Sequence, residues 1–280
     1  MTTNLDTDRW IRRFHPGAGR APRLVCFPHA GGSAGFYRRL SELLHPRVEV
    51  LAVQYPGRLE RRDEPLFTEI APLADAIAGV LEPSWGTPPA FFGHSMGAVV
   101  AYETARRLGA RTGAGPVALF ASGRRAPSTV RDGERLHLAG DGELVAEIVR
   151  QGGTPPELLA DPEMRALVLP ALRGDYRAIE TYRHGPGPRI TAPVTVLVGT
   201  GDAKVTAREA RAWEGHTDGT TEVLSFDGGH FFLAEQPERI AAVIRSRLLP
   251  TTAGRPTAAG GPTATGEPTA TGGPTAPRGD

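Results

Sequence analysis

Phe91-Phe92-Gly93-His94-Ser95-Met96-Gly97-Ala98-Val99-Val100 is the stretch on which the reading of this chain turns. A short apolar run enters Gly-x-Ser-x-Gly, and an Ala/Val-rich helical pattern leaves it. That layout predicts a nucleophile elbow, a strand-to-helix turn sharp enough to leave the serine hydroxyl standing above a sheet. Gly93 and Gly97 remove side chains where strand and helix would otherwise collide. The residue after the serine, Met96, can aim its backbone N–H at a developing oxyanion. The plainer alternative is a glycine-rich turn whose serine only caps the helix.

Strand and helix patterns alternate outward from the elbow. Upstream, residues 9–14 suggest a first edge strand, and Arg23–Phe27 is a continuous apolar run of the kind buried on both faces of a parallel sheet. It ends in Pro28-His29-Ala30-Gly31-Gly32-Ser33. The loop after such an early strand supplies a second oxyanion donor, for which Ala30 is the candidate and Gly31 the substitute. His29 precedes the serine, the wrong order for a base on this layout, and is read as structuring the loop or facing substrate. A helix over Phe36–Leu44, a strand over Val48–Val53 and a helix over Ile70–Leu81 follow.

Downstream, the elbow helix is expected to stop at Gly109. Val117–Ala121 is the next strand. From about 130 to 184 the alternation gives way to helical segments, the position of a lid over the serine or of an ordinary packing subdomain. Strands resume at Val194–Val198 and Glu222–Phe226, with a short helix over Ala207–Trp213 between them and a last helix over about Pro237–Leu249. Asp202 lies just past the first of these strands and His230 just past the second, the sheet edge where ligands and catalytic groups collect.

The order Ser95, Asp202, His230 is the nucleophile–acid–base order of an α/β-hydrolase. A neutral serine is a poor nucleophile, so His230 must take its proton and later return one to the leaving group. The acid holds the imidazole in the right tautomer. Asp227 competes with Asp202 for that role, but a strand-end loop reaches the far ring nitrogen better. The expected fold is therefore a mostly parallel sheet flanked by helices, with a helical lid insertion, over residues 1–249.

Composition agrees with one large α/β domain. The chain has 280 residues, 40% hydrophobic and 22% charged, with a net charge of +1. That balance gives no footprint for nucleic acid. No apolar run approaches the roughly 20 residues needed to span a bilayer. The first residues lack the apolar core of a signal peptide and Cys26 is the only cysteine, so no intrachain disulfide forms; a cytoplasmic monomer is expected. No residue group has metal-ligand spacing, and no dinucleotide or phosphate loop is present, so neither metal nor cofactor is expected. Residues 250–280 repeat Gly, Pro, Thr and Ala without a large apolar side chain, the composition of a disordered tail.

Together the segments Phe27-Pro-His-Ala-Gly-Gly-Ser33, Gln54-Tyr-Pro-Gly-Arg58, Phe92-Gly-His-Ser-Met-Gly-Ala98, Ser122-Gly-Arg-Arg-Ala-Pro127, Leu169-Pro-Ala-Leu-Arg-Gly-Asp175 and Gly228-Gly-His-Phe-Phe-Leu233 resemble the type II thioesterases. These are the discrete editing enzymes of polyketide synthases and non-ribosomal peptide synthetases. The resemblance spans roughly residues 20–245. It implies hydrolysis of aberrant or stalled acyl groups held as thioesters on the phosphopantetheine arm of acyl carrier or peptidyl carrier domains, with Ser95, His230 and Asp202 as the triad. Gly174 stands where the lid motif usually has alanine, which should loosen that helix. The competing readings are a general carboxylesterase or lipase acting on oxygen esters, and a carrier-binding scaffold without activity. Because carrier domains are acidic around the modified serine, a local basic rim is expected from Arg38, Arg39, Arg58, Arg61, Arg62, Arg124 and Arg125.

Overall fold

Continuous apolar runs become the buried strands of one sheet, because helices cover both of its faces. In the computed structural model, which describes residues 4–153 and 156–249, the strands are β1 (Ile11–Arg12), β2 (Arg23–Phe27), β3 (Glu49–Val53), β4 (Ala90–His94), β5 (Leu119–Ser122), β6 (Val194–Gly199) and β7 (Thr221–Phe226). The expected repeat tail at 250–280 lies outside the described residues.

The seven strands run in the order β1-β3-β2-β4-β5-β6-β7, parallel except for β1. The elbow strand β4 is therefore central. Neighbouring residues face opposite sides: Val25, Phe27 and Phe91 join one apolar cluster, while Leu24, Cys26 and Phe92 join the other. Helices α3 (Ile70–Leu81) and α4 (Met96–Thr112) fill the first side with Leu73, Ile77, Val99 and Tyr102. Helices α2 (Arg38–Leu44) and α8 (Pro237–Leu248) fill the second with Leu40, Leu44, Ile240 and Ile244. This is a mostly parallel sheet flanked by helices, an α/β-hydrolase fold.

The expectations for the first strand and for the elbow helix need correction. The first edge strand is only two residues long and follows a helix, α1 (Asn4–Trp10). Just Ile11 and Arg12 pair, with Val53 and Ala52. Trp10 instead closes α1 against Phe67 and beneath the Arg61 guanidinium, 4.3 Å from its ring centroid. The elbow helix also passes through Gly109 and stops at Gly113. Gly113 takes the left-handed conformation (φ 76°) and donates its N–H to the Gly109 carbonyl, an arrangement glycine adopts without strain. Arg111, in that extra turn, is tied to Asp75 of α3 at 2.9 Å.

Between β5 and β6 lie α5 (Asp141–Gln151), α6 (Pro156–Ala160) and α7 (Pro162–Glu180), with a small core of Leu144, Ile148, Leu159, Leu169 and Leu172. The N-terminus of α7 is capped by Asp161, whose carboxylate accepts the Glu163 N–H at 2.8 Å. This helix runs unbroken through Gly174 rather than loosening there. A β-carbon at Gly174 would meet Leu66 Cδ1 at 3.5 Å, an ordinary contact. Gly174→Ala should therefore stabilise the protein by about 1 kcal/mol, the helix-propensity difference, and raise Tm by roughly 2–4 °C. A fall in Tm on calorimetry would show that the packing at this turn leaves no room for a methyl group.

Among the described residues no helix is long and apolar enough to cross a membrane.

Candidate active site

Ser95 sits at φ 53° and ψ −120°, a left-handed conformation that a non-glycine residue holds only when its surroundings force it. The surroundings here are backbone. A β-carbon on Gly93 would lie 2.2 Å from the Gly97 carbonyl oxygen, and one on Gly97 would lie 2.0 Å from that of Phe27. Strand β4, helix α4 and the end of β2 thus approach as closely as the sequence reading of these glycines required. The Ser95 N–H donates to the Ser122 carbonyl at 2.8 Å, tying the elbow to the end of β5.

The structure brings Ser95, His230 and Asp202 into one chain of hydrogen bonds. His230 Nε2 is 3.0 Å from Ser95 Oγ, and its Nδ1 is 2.8 Å from Asp202 Oδ2. The other carboxylate oxygen, Asp202 Oδ1, accepts the Lys204 N–H at 2.8 Å, and the Asp202 side chain is fully buried. The loops carrying Asp202 and His230 are locked together through Gly201, whose N–H donates to the Gly228 carbonyl at 2.9 Å. Asp227, the competing acid, is exposed, and among the described residues its backbone carbonyl rather than its side chain is engaged, accepting from Gln236.

Two more imidazoles lie beside His230, and burial keeps both neutral. His29 is pushed down to about 3 by burial, reinforced by the charges of His230 and Arg58. His94 is likewise held well below the usual histidine range by burial and by its histidine neighbours, and its Nδ1 pairs with Ser122 Oγ at 3.0 Å. His29 packs edge-on against Phe36 and Phe231, which fits the loop-structuring role read from its position. Of the three, His230 is the one joined to a carboxylate.

A cavity of about 50 Å³ opens on Ser95 and is lined by Ala30, Met96, His230, Tyr176 and Arg124, among others. Both expected oxyanion donors, Ala30 and Met96, border it. Gly31, the substitute donor, is ruled out because its N–H is given to Asp175 Oδ2 at 2.8 Å. Tyr176 and Glu180, four apart on α7, reach the same cavity, so the insertion roofs the site. That i, i+4 pair was the available sequence signal for the roof. The cavity's carboxylates are already taken: Glu134 pairs with Arg125, and Glu180 accepts from the backbone N–H groups of Leu136 and His137.

The basic rim does not form as expected. Arg58 and Arg61 are buried, Arg58 on Asp175 and Arg61 on Glu64 and the Gln54 carbonyl. Arg125 is buried against Glu134, and Arg124 turns into the Ser95 cavity. Only Arg38, Arg39 and Arg62 of that set are exposed, and Arg39 is already paired with Glu42 and Glu238. Two-pronged pairing with a carboxylate has drawn three of the seven inward: Arg58 with Asp175, Arg61 with Glu64 and Arg125 with Glu134.

Comparison with known proteins places this site in context. The thioesterase domain profile matches residues 22–248. The chain is 49% identical over 249 residues to the thioesterase PikA5 of Streptomyces venezuelae, covering 89% of this chain and 88% of that one. It is also 49% identical to a probable cadicidin biosynthesis thioesterase of Streptomyces griseus, covering 90% of this chain and 70% of the relative. Among solved structures, the type II thioesterase BorB from the borrelidin biosynthetic cluster superposes with a TM-score of 0.81 at 48% identity, over 86% of this chain and 98% of BorB.

Proposed function

Because the chain belongs to the thioesterase domain family, and so is a hydrolase acting on thioesters, we propose that it removes aberrant or stalled acyl groups from the phosphopantetheine arms of acyl carrier and peptidyl carrier domains. The observation that carries the chemical part is the unbroken hydrogen-bond run Asp202–His230–Ser95 at the carboxyl edge of the sheet. The carrier substrate rests on likeness to discrete biosynthetic thioesterases of polyketide and peptide pathways. The reading has the enzyme act as a monomer in the cytoplasm, where carriers are loaded.

In this mechanism Ser95 Oγ attacks the thioester carbonyl carbon as His230 Nε2 takes the hydroxyl proton. The carbonyl π electrons move to oxygen, which the N–H groups of Met96 and Ala30 stabilise. Collapse re-forms the carbonyl and breaks the C–S bond. His230 passes its proton to the departing sulfur, leaving an acyl-serine and a free pantetheine thiol. A water molecule then repeats the attack with His230 as base, releasing the carboxylic acid and restoring Ser95. Asp202 stays ionised throughout and stabilises the imidazolium at each stage.

The test presents one acyl group three ways: on a carrier domain, on coenzyme A and as an oxygen ester of matched size. The expected order of kcat/KM is carrier, then coenzyme A, then oxygen ester, with the carrier form favoured roughly tenfold or more if docking contributes even 1.4 kcal/mol. Equal rates on thioester and oxygen ester would instead favour a general esterase.

A further inference from the structure

Outside the triad, among the described residues, a buried ion pair touches the active-site loop. Arg58, in the turn after β3, donates Nη1 to Asp175 Oδ2 at 2.7 Å and Nη2 to Asp175 Oδ1 at 2.9 Å. Their side chains are 8% and 3% exposed. Asp175 belongs to α7 of the insertion, 117 residues away in sequence. Both partners also grip the loop after β2. Asp175 Oδ2 accepts the Gly31 N–H at 2.8 Å, and Arg58 Nη1 donates to the Gly32 carbonyl at 3.0 Å.

That loop is a tight turn in which the Gly32 N–H donates to the His29 carbonyl at 2.9 Å, with Gly31 at φ 76° in the third position. Positive φ at that position is the requirement of a type II turn. A β-carbon on Gly31 would lie 2.5 Å from Leu172 Cδ1, so α7 also presses on the turn from above. The His29 carbonyl and the Ala30 N–H belong to one trans peptide, so they point in opposite directions. Fixing Gly31 and Gly32 therefore fixes the plane in which the Ala30 N–H is presented to the Ser95 cavity.

We propose that Arg58 and Asp175 are positioning residues that hold the Ala30 N–H in place for the oxyanion, so that the insertion helix α7 is part of the catalytic scaffold. The proposal rests on the acyl-serine mechanism above. Neither side chain lines the cavity with Ser95, so their effect on the reaction passes through the backbone of residues 29–32.

The test compares wild type, Asp175→Asn and the double variant Arg58→Met/Asp175→Leu. Replacing a buried ion pair by apolar residues of similar volume is often neutral or stabilising, so the double variant keeps the test available should Asp175→Asn alone fail to fold. Three readouts are needed: kcat and KM for a neutral acyl-N-acetylcysteamine thioester, and Ki for a matching trifluoromethyl ketone. The ketone forms a tetrahedral adduct with Ser95 whose oxyanion needs the Ala30 N–H. A displaced donor is expected to lower kcat by about 10²-fold and raise Ki in parallel, with KM nearly unchanged. A folded double variant with wild-type kcat and Ki would overturn the positioning role. So would a rise in KM with Ki unmoved, which is what a merely structural role in shaping the cleft predicts. A wild-type enzyme that forms no ketone adduct would sink the acyl-serine reading itself, a result distinguishable from the failure of the positioning role alone.

Discussion

Ser95→Ala lowers turnover by on the order of a millionfold where chemistry limits the rate, leaving only the contribution of binding and the oxyanion donors. The size follows from the role. Alanine keeps the β-carbon that the turn at φ 53° already accommodates, so the backbone constraints from Gly93 and Gly97 are unchanged and the fold survives. What is lost is the single oxygen that lies 3.0 Å from His230 Nε2. No other hydroxyl in the described structure is hydrogen-bonded to that imidazole, so no neighbour can substitute. Rapid-quench measurement of acyl release from a loaded carrier domain gives the rate, and a fluorophosphonate probe gives the site. Wild type should label once, at Ser95, and the variant should not label. Retention of more than about a tenth of wild-type turnover would be far outside what loss of a triad nucleophile allows and would remove Ser95 from the mechanism. Absence of labelling in the wild type would point to a carrier-binding scaffold.

The elbow and the meeting of Ser95, Asp202 and His230 at one sheet edge were legible in the sequence because their constraints are local. Gly-x-Ser-x-Gly between an apolar run and a helical run specifies a turn whose crowding is visible in the glycines themselves, and Asp202 and His230 each follow a strand that announces its own end. The helix over Ile70–Leu81 and the strand β6 were legible for the same reason: their periodicity lies within a single element. The arginines were not. Arg58 and Arg61 read as a surface cluster because Asp175 and the Trp10 ring, which cover them, lie far away in sequence and meet them only through the fold, while the nearby Glu64 that pairs with Arg61 does not reveal that the pair is covered. Nothing in a charge run tells whether it meets water or a buried carboxylate. The end of α4 was missed for a smaller reason: Gly109 and Gly113 both stop a helix on propensity grounds, and the choice between them depends on which can take positive φ, a matter of tertiary contact at Arg111. The electrostatic steering expected from a basic rim loses most of its source, and reversing the charge of Arg61 would break a buried pair rather than alter a docking surface.

Asp202→Asn should cost roughly 10⁴-fold in turnover, while Asp227→Asn leaves it nearly untouched. The two residues are separated by what their oxygens do. Asp202 accepts on both: Oδ2 from His230 Nδ1 and Oδ1 from the Lys204 N–H, each at 2.8 Å. An asparagine has one acceptor and one donor group and cannot serve both neighbours. If its oxygen keeps the Lys204 N–H, its NH₂ group faces His230 Nδ1 and demands a lone pair there. The imidazole proton then moves to Nε2, which can donate to Ser95 but not receive from it, so the base is disabled with the geometry intact. If the amide turns over, its NH₂ group confronts the Lys204 N–H at the 2.8 Å now spanned by a hydrogen bond, two donors face to face, and the loop after β6 must shift. Either way the imidazolium formed during acyl transfer also loses its neighbouring negative charge. Asp227 lies exposed three residues before the base with its side chain free of His230, so its amide replacement changes neither tautomer nor charge at the imidazole. Single-turnover rates of both variants, with circular dichroism to establish folding, decide the matter. A folded Asp202→Asn enzyme near wild-type activity beside a crippled Asp227→Asn would mean that the acid reaches His230 from its own loop, and that the 2.8 Å contact to Asp202 serves only to hold the loops together.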